Sequence, residues 1–207
     1  MADNITILDS AEVEKTIATS ESAGVHTNKH QLVDADGQTA KFDDSTSALN
    51  TVDYSHHEIH NGSSYVVTDV QGVNDTIIQW QITTPAGTKY SHTVFDIHCS
   101  GEMMVTITEG SDRTDGTALS EINRRRTGTP NVAGTIVTRT PTGGSSDGVT
   151  IFQLKAGASG KEGQLGTSRN LNEFVLAANT KYIVAVETFD DVDVSFGVDW
   201  YEHTDAL

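Results

Sequence analysis

Residues 192–202 read VDVSFGVDWYE, and this stretch decides the fold class. Val192, Val194, Phe196, Val198 and Trp200 alternate with Asp193, Ser195, Gly197 and Asp199. A period of two places the apolar set on one face of an extended chain and the polar set on the other, which is the pattern of a half-buried antiparallel strand. The same period recurs upstream. TIIQWQIT (76–83) puts Thr76, Ile78, Trp80 and Ile82 together, with Gln79 and Gln81 opposite. HTVFDIHCS (92–100) groups Phe95, Ile97 and Cys99 against His92, Asp96 and His98, and MMVTITEG (103–110) supplies Val105 and Ile107. GTIVTR, GVTIFQLKA, NEFVL and KYIVAVET complete the series between residues 134 and 188.

Eight or nine such strands from residue 65 onward are separated by turns rich in Gly, Asn, Asp and Thr. Each strand has one face to bury, and a second sheet is what covers it. The expected fold is all-β, a jelly-roll-like antiparallel β-sandwich, with an immunoglobulin-like sandwich as the alternative. Helical patterning is weak. SAEVEKTIA (10–18) and ALSEI (118–122) are the best candidates for a helix or helical turn.

The leading 50 residues are polar, acidic and rich in Thr, Ser and Ala, with Phe42 their one aromatic. Such a segment holds short strands at most and lacks the apolar mass for a core of its own. It is expected to be an extended N-terminal arm (1–50) that orders against a neighbour, ahead of a sandwich domain (51–207). Asp36-Gly37 within QLVDADGQTAKF reads as a hairpin turn. DADG (34–37) begins like a calcium loop but lacks the later ligands and the closing glutamate.

The 207-residue chain carries 13 basic and 29 acidic residues, a formal net charge of −16. Binding a phosphate backbone depends on Lys and Arg displacing counterions, so nucleic acid is not an expected partner. No run approaches the ~20 apolar residues that span a bilayer, and the opening MADNITILDSAEVEK lacks the basic start and apolar core of a signal peptide. Neither a membrane partner nor export by that route is expected. The single cysteine, Cys99, forms no intramolecular disulfide, in keeping with a reducing compartment.

Candidate sites are few. YSHHEIHNGSSYVV (54–67) concentrates three histidines. If the segment is extended, His56, Glu58 and His60 share a face and form a weak zinc or nickel constellation, with His92, Asp96 or His98 as possible recruits from another strand. A polar strand at the junction of arm and sandwich is the preferred reading, and no metal or other cofactor is expected. Two long loops, 109–134 and 155–170, are candidate contact regions, since loops of that length in a compact domain usually bind something or move. The first holds Arg124, Arg125 and Arg126, a positive run able to grip carboxylates, or simply an exposed solubilising loop. Trp80 and Trp200 read as core residues in preference to a sugar platform. There is no Gly-x-Ser-x-Gly elbow and no phosphate-cradling glycine loop, and Asp190-Asp191 reads as a solvated turn. The chain is not expected to be an enzyme, although glycosidase carboxylates need only converge in space.

SHHEIHNGSSYVVTDV (55–70), SEINRRRTGTPN (120–131) and LAANTKYIVAVETFDDVDVSFGVDWYEH (176–203), taken in this order, resemble segments of tailed-bacteriophage virion structural proteins. ATSESAGVHTNKHQLVDADG (18–37) resembles an opening module of small phage structural proteins. The resemblance implies a β-sandwich displayed on the outer capsid surface of a virion and assembled in the bacterial host cytoplasm. It commonly implies a trimeric decoration (cement) protein or head fibre. The arm, including Val25 and His26, would anchor to the major capsid protein or a neighbouring subunit. Thr27 stands where the commoner module has an aromatic. No catalytic residues carry over. The runner-up is a host-adhesion module of head or tail that holds a host glycan or cell-surface protein.

Overall fold

The computed structural model describes residues 5–8, 14–17, 19–22, 25–28, 54–129, 131–158, 161–165 and 173–204. The chain divides into two compact units, Met1–Val52 and Asp53–Leu207. In the first, β1 (Ile5–Leu8) pairs antiparallel with β2 (Glu14–Ile17), and β3 (Thr19–Ser22) with β4 (Val25–Asn28). The expected helix over 10–18 is therefore replaced by a strand at 14–17, where Thr16 and Ile17 are β-branched. The Asp36-Gly37 turn and the DADG segment lie outside the described residues.

The second unit opens with a helix, α1 (Tyr54–Asn61), followed by β5 (Ser64–Asn74), β6 (Ile77–Thr83), β7 (Lys89–Cys99) and β8 (Met103–Glu109). Three short strands follow: β9 (Thr117–Ala118), β10 (Ile122–Asn123) and β11 (Ile136–Arg139). The chain then forms β12 (Val149–Ala156), β13 (Gly163–Leu165), β14 (Phe174–Leu176), β15 (Lys181–Thr188) and β16 (Asp191–Thr204). ALSEI, expected as a helical turn, instead runs between the extended pieces β9 and β10.

Two antiparallel six-stranded sheets pack together, as the alternating pattern requires. One is ordered β10-β5-β16-β7-β13, with β14 also on β7; the other is β12-β8-β15-β6-β11-β9. The pairing is nested. β5 pairs with β16, β6 with β15, β7 with β14 and β13, and β8 with β12. A long two-stranded ribbon folded back on itself gives this order, so nearly all pairing is remote in sequence.

The alternating residues do what their spacing predicts. Val194, Phe196, Val198 and Trp200 of β16 face Trp80, Ile82, Val184 and Val186 of the opposite sheet's strands, all within the buried core. Trp80 stacks on Phe196 across the sandwich, with ring centroids 4.4 Å apart and planes 6° from parallel. Both tryptophans are fully buried, as is the thiol of Cys99. Burying an indole requires a partner for its N–H. Trp80 Nε1 donates to Asp69 Oδ2 at 2.9 Å, and Asp69 Oδ1 receives Arg139 Nη1 at 3.0 Å. Trp200 Nε1 donates to Glu202 Oε1 at 3.2 Å, and the same carboxylate accepts the backbone amides of Gly134 and Thr135.

One face departs from the alternation. Gln81, expected to point to solvent from β6, is buried, as are Thr108 and Ile183 beside it. The segments around 111–116 and 143–148 lie over this outer face. Gln79 Nε2 donates to Asp147 Oδ2 at 2.9 Å, Arg113 Nε pairs with Asp147 Oδ1 at 2.6 Å, and Lys181 Nζ donates to the Arg113 carbonyl at 2.6 Å. Asp112 holds the two segments together by accepting the amides of Ser145 and Ser146, and these bonds keep its carboxyl below the usual range. The start of the long 109–134 loop thus covers part of a sheet.

Tyr65 stacks on Trp200 at 5.5 Å, and its hydroxyl donates to the Val132 carbonyl at 3.2 Å. Burial, reinforced by the negative charge of Glu202, pushes this phenol from 10.0 up to about 12. A raised value means that the folded state holds the proton more tightly. The corresponding stability is complete below pH 10.0 and drains away as pH rises through about 12. Urea unfolding across this window is expected to show Tyr65→Phe losing less stability than the parent chain; identical slopes would contradict the assignment.

Candidate functional site

The site is built where the first strand of the sandwich begins. Gly62 follows α1 with φ +78°, a conformation that glycine adopts without a Cβ penalty. The amide of Gly62 donates to the Ile59 carbonyl and that of Ser63 to the Glu58 carbonyl, the paired bonds of a Schellman C-cap. Asn61-Gly62 therefore stops a helix, and YSHHEIHN is not the strand expected from its sequence. Burial follows the helical period. Glu58 is buried and Ser55 and Ile59 partly so, whereas His56, His57 and His60 are exposed.

This overturns the extended His56, Glu58, His60 constellation. On a helix, positions i and i+4 share a face while i+2 points away. His56 and His60 meet, with Nε2 atoms 3.0 Å apart, but Glu58 turns inward with His57 Nδ1 3.3 Å from its Oε1. His98 pairs with Asp96 at 2.9 Å on the outer face of β7, and His92 stacks on Tyr201. Among the described residues, no three metal-ligating side chains gather.

Asn123 ties the helix to the arginine loop. Its Nδ2 donates to the Gly62 carbonyl at 2.8 Å and to the Asn131 carbonyl at 3.0 Å, while its Oδ1 accepts the Arg125 amide at 2.8 Å. The neighbouring Arg124 amide donates to the Ser64 carbonyl, continuing the β10–β5 pairing of Ile122 with Val66 and Asn123 with Tyr65. Two segments some sixty residues apart thus form one hydrogen-bonded unit, joined by a buried amide whose polar atoms all have partners.

The three arginines are separated by this arrangement. Arg124 folds onto the sheet and pairs with Asp199 of β16. Arg125 lies beside Gly62, its Cδ 3.5 Å from the place a Cβ would take, and Arg126 is exposed. Val25 and His26 lie in β4, opposite Ser22 and Glu21, within the leading unit.

Between α1 and the outer face of β5, β16 and β7 lies a cleft of about 320 Å³, bordered by Ile59, Thr68, Asp96, Arg124 and Asp199. Gly197 forms part of the floor, where a Cβ would approach the Asp96 carbonyl to 3.2 Å. The lining residues include an arginine, two aspartates and three that carry hydroxyls, Ser55, Ser64 and Thr68, around small apolar groups, which is the chemistry of polar recognition. Sequence reasoning marked Arg124 but missed the cleft and the bonds by which Asn123 joins the loop to the end of α1. The Asn-Gly pair after the histidine run was the available signal, because it marks helix ends as well as hairpins.

The chain matches no protein-family profile, no curated protein and no solved structure. Asn123→Ala removes the donors to two carbonyls and the acceptor for one amide. It is expected to cost about 1–3 kcal/mol in urea unfolding, the penalty for stranding buried polar groups. An unchanged midpoint would show that the α1–loop junction does not depend on this side chain.

Proposed function

We propose that the chain is a tailed-phage virion structural protein, a decoration (cement) protein that assembles in the bacterial cytoplasm as a homotrimer and binds the major capsid protein on the outer capsid surface. The observation that carries this reading is the division of the chain: a leading unit of short hairpins precedes a sandwich with its own core. That division suits an anchor and a displayed body.

Three further points support it. The nested strand pairing favours the jelly-roll form of the sandwich, in which two Greek keys wind one ribbon. SHHEIHNGSS and SEINRRRTGTPN, which resemble virion proteins, meet through Asn123 and so define one structural element. The net charge of −16 favours the outside of a shell over its DNA-filled interior. On this reading the work is binding without catalysis. Threefold symmetry multiplies modest arm contacts through effective concentration, and bridging neighbouring capsomers raises the force needed to part them.

The cleft beside Arg124 favours a second reading, a host-adhesion module that takes a glycan through its polar rim. Binding assays separate the two. For a decoration protein, the full chain binds undecorated capsids of its phage and raises their thermal rupture threshold, while a chain lacking residues 1–50 stays folded and fails to bind. Decoration by the truncated chain would overturn the anchor, and saturable binding to host cells without capsid binding would favour adhesion.

A further inference from the structure

We infer that His56 and His60 form a chelating site for one divalent transition-metal ion, Zn²⁺, Ni²⁺ or Cu²⁺, on the exposed face of α1. This inference is independent of the virion reading. It rests on the helix that replaced the expected strand, and it uses a different pair of donors from the overturned three-residue set.

The geometry matches the coordination of one ion. Two imidazole nitrogens bound about 2.0–2.1 Å from the same metal, in adjacent tetrahedral or octahedral positions, stand about 2.8–3.4 Å apart. The Nε2 atoms of His56 and His60 are hydrogen-bonded at 3.0 Å, a separation that an ion replacing the shared proton would keep. The ring centroids are 4.6 Å apart with planes at 68°, a spacing that fits two imidazoles on adjacent positions of one ion. The backbone fixes this arrangement, because residues four apart on a helix are neighbours on its surface and the Gly62 cap ends α1 within two residues of His60. Both side chains are exposed, so hydrated ions reach them. Imidazole suits zinc, nickel and copper, and among them the Irving–Williams order favours Cu²⁺.

The consequence extends beyond the helix. An ion held by both histidines binds α1 only when it is helical, and it therefore stabilises the folded state by mass action. Because α1 borders the cleft and its cap is tied to Asn123, bound metal would stiffen the wall of the cleft and the start of the arginine loop.

The test uses the untagged full-length chain and CuCl₂ or ZnCl₂ as the probe. Electron paramagnetic resonance of the Cu²⁺ complex is expected to report two imidazole nitrogens on one ion per chain. His56→Ala and His60→Ala are each expected to lose that signal and weaken binding by at least about tenfold, the loss of one of two coordinating imidazoles. His57→Ala, whose side chain points elsewhere, is expected to retain both. Zn²⁺ in large excess is expected to raise the unfolding midpoint of the parent chain by at least about 2 °C and to leave the His56→Ala and His60→Ala chains unchanged, with circular dichroism confirming that both are folded. A two-nitrogen signal that survives either substitution, or a parent chain without one, would overturn the inference; so would a Zn²⁺ shift retained in both variants.

Discussion

Everything in the second unit depends on two sheets being held face to face, and the contact that closes them is Trp80 on Phe196. The rings lie nearly parallel at van der Waals distance, one from each sheet, with the neighbouring residues of β6, β15 and β16 buried around them. An indole of this size buries a large apolar area only if its N–H has a partner. Asp69 supplies that partner from the opposite sheet and is itself held by Arg139 from the strand beside Trp80. The apolar contact and the polar clasp therefore bridge the same gap, and neither is complete without the other.

The polar features of the candidate site follow from this frame. β16 runs through the middle of its sheet, so its core face fixes which residues point outward: Gly197 becomes a floor and Asp199 a partner for Arg124. β5 enters the same sheet immediately after the Gly62 cap, which places α1 beside the outer face. Asn123 then fastens the loop that carries Arg124. A buried network of this kind is worth having only when fully satisfied, and here each polar atom of the Asn123 amide has a partner.

The sandwich was legible because its signal is local. Val192 through Trp200, Ile78 through Ile82 and Phe95 through Cys99 alternate strictly, and burial between two sheets demands that pattern wherever the strands pair. The histidine segment misled for the opposite reason. SHHEIHN contains one large apolar residue, Ile59, so neither period is imprinted strongly, and the deciding feature is the glycine that follows. Gln81 was unreadable in a different sense. Two segments, about thirty and about sixty-five residues downstream, cover its face of the sheet, the second bonding to Gln79 and Thr108 near it, and a strand's own sequence does not record what later folds over its outer face. Asn123 shows the same limit, since its role depends on Gly62 being brought to it by the β10–β5 pairing.

The central claim is that the two sheets form one cooperative body closed by Trp80 and Phe196. Native-state hydrogen exchange of the full chain tests it most directly. The account predicts that the hydrogen-bonded amides of Val194–Val198 in one sheet and Ile183–Val186 in the other open with the same free energy, equal to that of global unfolding. Exchange in which one of these sets opens freely while the other remains protected would contradict it.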